Sequence, residues 1–225
     1  MIQFDAVTKT YLAGTVGLQS VSFTIEDNDF VFLVGPSGAG KTTILKLLMR
    51  QLIPTSGSVI VDGTEISRRG FAKIPQLRQS IGMVFQDFKV LPDRNVFENV
   101  AITLKIQDLA YNEIVDSVTE ALSLVGISDK KLMFPMQLSA GELQRVAIAR
   151  AIVGDKQIII GDEPTGNLDP KTSWDIMKIF KQLEGQKTII IATHNVDVVD
   201  SFKKRVLTMQ DGKLIKDVKK GTYKV

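Results

Sequence analysis

The chain has 225 residues, 44% hydrophobic and 24% charged, with a formal net charge of +3. These are the proportions of a soluble globular chain of one large domain or two small ones, and they exclude a disordered tail protein. No run approaches the roughly 18 to 20 consecutive apolar residues of a membrane-spanning helix, and the start, Met1 to Asp5, lacks the basic-then-apolar pattern of a secretory signal. A cytoplasmic location is expected. With no Cys and one His, His194, a disulfide framework and a structural zinc site are excluded. Chemistry then falls to carboxylates, hydroxyls, Lys, backbone amides and a hard metal such as magnesium.

Read in chain order, Ile2 to Tyr11 and Leu18 to Ile25 alternate loosely and flank Gly14 and Gly17, which predicts an antiparallel pair. Phe30 to Val34 is apolar throughout and closed by Gly35, the pattern of a strand buried on both faces and central in a parallel sheet. A helix is predicted over Thr42 to Gln51, stopped by Pro54 and Gly57. Ser58 to Val61 and Ile81 to Phe85 read as strands with Asp62-Gly63 as the turn between them. Helical spacing then takes over in Val96 to Leu104, Tyr111 to Val125 and Glu142 to Ile152, a helical insertion over about 95–153. Buried strands return at Ile158 to Ile160 and Thr188 to Ala192, separated by a helix over Lys171 to Leu183. Val206 to Met209, the turn Asp211-Gly212, and Leu214-Ile215 close the chain as a hairpin. The order predicts a mostly parallel, doubly wound α/β core.

Between Lys203 and Val225 eight basic residues face Asp211 and Asp217, while the rest of the chain is slightly acidic. This distribution argues against nucleic acid. It fits a charged edge strand or, alternatively, contact with anionic lipid head groups or a partner's acidic loop.

Gly35-Pro36-Ser37-Gly38-Ala39-Gly40-Lys41-Thr42 fits G-x-x-x-x-G-K-[ST] and stands between a buried strand and a helix. Glycines let backbone N–H groups turn inward around a phosphate, the helix N-terminus adds partial positive charge, Lys41 reaches the terminal phosphates and Thr42 offers a hydroxyl to magnesium. The reading is a nucleoside-triphosphate site. Asp162 and Glu163 follow the buried Ile158-Ile159-Ile160, the end of the strand where ligands sit in open α/β sheets, and are expected on a strand neighbouring that of the phosphate loop. Asp162 suits magnesium, and Glu163 suits polarising a water that attacks the γ-phosphate. Ser139 and Glu142 form an S-x-x-E capping box whose helix N-terminus is a second anion site. Two chains arranged head to tail bring such a site to one triphosphate.

These motifs, in this order, resemble the ATP-binding cassette (ABC) ATPases over essentially the whole chain. The phosphate loop matches Gly35 to Thr42, the signature motif Leu138 to Gln144, the acidic strand end Ile158 to Glu163, and the loop after it Gly166 to Asp169. The family's glutamine lid matches Gln86, its switch histidine His194, and its adenine-stacking aromatic Tyr11. The resemblance implies one ABC ATPase domain over 1–225. Its RecA-like, mostly parallel core and N-terminal antiparallel β subdomain would cover about 1–94 and 154–225, with an inserted helical subdomain over about 95–153. It implies ATP bound by Tyr11, by Gly35 to Thr42 with Thr43, and by Ser139, Ala140, Gly141 and Glu142 across a head-to-tail homodimer. Magnesium would fall to Thr42, Gln86 and Asp162, and hydrolysis to Glu163, His194 and Gln86. One of the family's usual signature glycines is Ala140 here, whose added Cβ leads us to expect slow turnover that Ala140→Gly would raise.

The segment Gln86 to Val100 is similar to that of the family's bacterial cell-division branch. That likeness implies a transmembrane partner at the cytoplasmic face of the membrane and a relay to peptidoglycan hydrolases outside. Lipoprotein-release and peptide or drug export are the alternatives, as is an ATP-gated scaffold in which hydrolysis only resets the dimer. Phe88, Leu91 and Pro92 lie near the glutamine hinge as partner contacts or as packing within the helical lobe.

Overall fold

A computed structural model describes residues 1–12, 14–107 and 109–223. In chain order its elements are β1 (Ile2–Thr10), β2 (Val16–Ile25), β3 (Phe30–Val34), α1 (Lys41–Leu48), β4 (Ser56–Val61), β5 (Thr64–Glu65), α2 (Ile74–Ser80) and β6 (Ile81–Phe85). There follow α3 (Val96–Lys105), α4 (Tyr111–Val125), α5 (Ala140–Ile152), β7 (Ile158–Asp162), α6 (Pro170–Gln182), β8 (Thr188–Ala192), α7 (Val196–Phe202), β9 (Arg205–Gln210) and β10 (Lys213–Val218). They fall into two compact units, Met1–Arg78 with the chain from Glu184 onward, and Gln79–Leu183.

The first unit holds an antiparallel sheet in the order β2-β1-β4-β5. Phe4 and Phe23 face each other across β1 and β2 with ring centroids 4.6 Å apart, a stacked pair that fixes which face is inward. The unit also holds the run β10-β9-β3-β8, where β3 pairs in parallel with both β9 and β8. All five residues of β3 are buried, as its continuous apolar run requires of a strand covered on both faces. β10 returns antiparallel to β9 across Asp211 (φ 48°) and Gly212 (φ 76°), the two successive left-handed residues of a tight hairpin turn.

In the second unit β6 and β7 pair in parallel, Phe85 beside Asp162. Helices α3, α4 and α5 pack on one another, and no strand falls between Phe85 and Ile158 among the described residues. Helix α3 begins in a capping box, Asn95 with Glu98, and α4 ends at Gly126 in the left-handed region (φ 71°).

Two expectations change. Asp62 (φ 48°) and Gly63 (φ 72°) do make a turn, but it joins β4 to the two-residue β5 and not to Ile81–Phe85. The acidic strand β7 is not a neighbour of the phosphate-loop strand: a strand has two edges, and those of β3 are taken by β8 and β9. The basic tail lies on the edge strand, with Lys213 and Lys216 exposed on β10, while Arg205 is tied to Asp217 (2.7 Å) and Asp29 (3.2 Å) and Lys204 to Glu184. That is how a charged edge resists pairing with another chain. Lys224 lies outside the described residues.

Candidate nucleotide site

In the first unit, β3 runs into the glycine turn and the turn into α1. Gly40 is the N-cap at φ 104° and ψ 0°, a conformation that L side chains rarely adopt, and a Cβ there would lie 2.7 Å from the Gly17 carbonyl oxygen. The cap supplies no side-chain hydrogen bond, so the amino end of α1 presents its backbone donors without a resident acceptor from Gly40. Lys41 is buried, and its ammonium donates to the carbonyl oxygens of Gly35 (2.7 Å) and Pro36 (3.1 Å). Ser37 and Gly38 form the exposed crest of the loop, and the Cβ direction of Gly38 is open. A helix start capped by a left-handed glycine, a loop-bound lysine and an open crest fit a triphosphate.

The loop is held from outside as well. The Gly212 N–H donates to Ala39 O (3.2 Å) and the Gln19 N–H to Gly212 O (2.8 Å), so the β9–β10 turn ties the phosphate loop to β2. Tyr11 shares a 2.9 Å hydroxyl hydrogen bond with Thr43 of α1, and its ring lies against the backbone of Gly17. His194 is exposed two residues past the end of β8. Because Leu33 pairs with Ala192 in parallel, His194 and the phosphate loop leave their strands at the same carboxyl end.

In the second unit, Gln86 and Glu163 likewise follow paired strand ends. Gln86 Nε2 donates to Asn167 Oδ1 (3.3 Å), and Asn167 Nδ2 returns a bond to Gln86 O (3.0 Å), which couples the glutamine to the loop after the acidic pair. Asp162 is the last residue of β7 and is half-buried. Glu163 has φ 51°, a left-handed conformation that costs a non-glycine residue on the order of 1 kcal/mol or more. The Gly166 N–H bonded to Glu163 O (3.0 Å) and the buried Gln144 Nε2 bonded to Pro164 O (2.6 Å) hold the turn in this shape.

Ser139 caps α5. Glu142 Oε2 accepts from the Ser139 N–H (2.8 Å) and from the Ser139 hydroxyl (2.9 Å), and the Glu142 N–H reaches Ser139 Oγ at 3.4 Å. Lys130 donates to Glu142 Oε1, and this bond, with those from Ser139, holds the carboxyl down at about 2. Ala140 takes the first helical position without a left-handed backbone, so the departure from glycine strains nothing there. Gly141 is closely packed: a Cβ would come within 2.6 Å of Thr172 Cγ2 on α6.

Tyr11, residues 35–43 and His194 thus belong to the first unit, and Gln86, residues 139–142, Asp162 and Glu163 to the second. Sequence reading passed over Asn99 and Arg150, and gave Gln144 only as the end of the signature motif, with no structural role. Asn99 is fully buried and organises the chain from Leu91 to Asn95. Arg150, late in α5, donates to Lys89 O (2.8 Å) and Phe88 O (3.0 Å), where Phe88 (φ 61°) and Lys89 (φ 51°) are both left-handed. None of these three stands in a pattern that announces its partner, which comes from another element.

A buried parallel strand, a left-handed glycine cap and a lysine closing back on the loop define a phosphate-loop nucleotide-binding protein. Comparison narrows the class: the family model "ABC transporter" matches residues 18–166, and the chain belongs to the ABC ATPase family. The cell division ATP-binding protein FtsE of Bacillus subtilis strain 168 is 44% identical over 224 residues, spanning 99% of this chain and 98% of its own. FtsE of Escherichia coli K12 is 43% identical over 215 residues, spanning 95% and 97%. Among solved structures, the dimeric post-hydrolysis state of the ATP-binding cassette MJ0796, bound to ADP and Pi, is 33% identical with a TM-score of 0.88 and covers 99% of this chain and 100% of that one.

Proposed function

We propose that the protein is the ATP-hydrolysing subunit of a bacterial cell-division complex, partnered by an FtsX-type membrane protein at the cytoplasmic face of the membrane. The observation that carries this reading is end-to-end similarity to FtsE proteins from distant bacteria. No helix among the described residues is long and apolar enough to cross a membrane, so the chain's link to the membrane would be through that partner. In this reading Tyr11 stacks on adenine, residues 35–43 hold the phosphates, and Ser139 to Glu142 serve the nucleotide of a second copy in a head-to-tail dimer. Glu163 orients and polarises the attacking water, Gln86 senses the nucleotide, and His194 contacts the γ-phosphate. The Thr42 hydroxyl, the Asp162 carboxylate and the Gln86 amide are hard oxygen donors of the kind magnesium takes alongside phosphates. When bound, that ion would neutralise phosphate charge. The dimer would then drive the partner, which signals to peptidoglycan hydrolases outside the cell.

The test is capture of the Glu163→Gln protein from its own cell membranes with ATP and magnesium. Recovery of a small permease together with cell-wall hydrolase regulators is the expected result. A larger permease with a periplasmic adaptor would move the chain to export, and a locked dimer that still supports division would make it a scaffold.

A further inference from the structure

We propose that Lys130 is a positioning residue for the ATP reaction, setting through the Glu142 carboxylate how readily the Ser139 hydroxyl turns its hydrogen toward a phosphate oxygen. The proposal rests on the reading of Ser139 as a triphosphate contact.

The Ser139 hydroxyl is committed in this structure: it donates to Glu142 Oε2 at 2.9 Å. A hydroxyl has one hydrogen, so Ser139 can serve a phosphate only by releasing that carboxylate. A bare carboxylate would oppose this twice. It is a charge-assisted acceptor that holds the hydrogen strongly, and its negative charge would stand one side chain away from an incoming polyanion. The Lys130 ammonium on Oε1 answers both effects, because it draws carboxylate charge to the oxygen away from the serine and cancels the local negative charge.

Lys130 is not a loose surface cation. The Lys130 and Glu142 side chains are 29% and 25% exposed, against 67% and 39% for the ordinary helix-surface pair Lys178–Asp175. Its backbone is fixed at both sides: the Lys130 N–H donates to Ile127 O (3.0 Å), Lys130 O accepts from the Met133 N–H (2.9 Å), and the following residues are bonded to α3 by Phe97 N–H to Lys131 O (2.8 Å) and Val96 N–H to Met133 O (2.9 Å). The backbone that carries the ammonium is therefore held in place by its neighbours. An ordinary capping box needs only Ser139 and Glu142, so the third group has no capping work to do.

The experiment measures ATP hydrolysis by the full chain with magnesium, and compares wild type with Lys130→Met, Glu142→Gln, the Lys130→Met/Glu142→Gln double variant and Ser139→Ala. Lys130→Met is expected to raise the half-saturating ATP concentration on the order of tenfold with little change in turnover at saturation, because the lost interaction acts on binding. Adding Glu142→Gln is expected to lower that value again by about threefold or more relative to Lys130→Met alone, since Gln still caps the helix but carries no charge to be cancelled. A purely structural ion pair is broken in Lys130→Met and in the double variant alike, so equal impairment of the two would overturn the proposal. Normal ATP saturation in Lys130→Met alongside weakened saturation in Ser139→Ala would also overturn it, leaving the role of Ser139 intact. Unchanged saturation in Ser139→Ala would overturn the reading on which the proposal stands.

Discussion

The side-chain amide of Asn99 meets four backbone groups from inside α3: Nδ2 donates to Leu91 O (3.0 Å), Arg94 O (2.9 Å) and Asn95 O (3.0 Å), and Oδ1 accepts from the Leu91 N–H (2.7 Å). Asn99→Ala would strand the Leu91 amide and loosen the chain before α3, and a loss of about 2–3 kcal/mol is expected in urea unfolding. Glu142 gives a pH signature. Its carboxyl is held at about 2 against an ordinary 4.5, so the unfolded chain binds more protons between those values, and stability falls as the pH drops through that window. Acid unfolding of Glu142→Gln should therefore show a shallower decline between pH 4.5 and 2 than wild type. Equal slopes would mean that the box with Lys130 contributes nothing in solution. The box itself was readable, because its partners are three residues apart and both are capping types. Lys130 was not, since a lysine twelve residues upstream of its carboxylate looks like any solvated charge.

At the scale of elements, sequence reading succeeded where one physical pattern sufficed. The apolar run of β3 and the long apolar period of α4 gave their limits directly, and an Asp-Gly pair correctly marked the turn between β9 and β10. It missed β5, with two exposed residues, and α2, where Pro75 stands second and Leu77 is the only buried residue, so neither shows a period. The neighbour of a strand is not written in its own residues, which is why β7 was placed beside β3 in error. Helix α5 shows a different limit. Burial pushes the Arg150 guanidinium below its ordinary value, yet its fork reaches two carbonyls about sixty residues away in sequence, at a pair of left-handed residues. An ammonium cannot reproduce that planar two-donor geometry. Arg150→Lys should therefore raise amide hydrogen exchange across 86–91 by about tenfold or more while leaving α5 protected. Unchanged exchange there would show that the loop keeps its shape unaided.

For the whole molecule, family membership was legible because it rests on the order of several short motifs, and order survives where single residues are ambiguous. Tyr11, Gln86 and His194 each have an ordinary explanation alone, and the roles proposed for them rest on the order of the motifs around them. How the two units are arranged is not written in any motif. The proposed head-to-tail dimer makes its own prediction: Glu163→Gln with ATP and magnesium should elute at twice the monomer mass, and Ser139→Ala added to it should return it to monomer. A dimer indifferent to Ser139 would place the contact elsewhere.

Helix α5 has thirteen residues, about 20 Å at 1.5 Å per residue. Its first turn carries the Ser139 cap, its second the Gln144 bond to the carbonyl beside Glu163, and its last the Arg150 fork on Phe88 and Lys89. In mechanical terms it is a strut pinned at three points, and a hydrogen-bonded helix barely shortens under load. A push on the serine end would therefore be carried to the far end, onto a stretch of left-handed backbone that the Arg150 fork holds. Stiffness along one rod thus makes the serine cap and the Phe88–Lys89 backbone, at opposite ends of α5, behave mechanically as one piece.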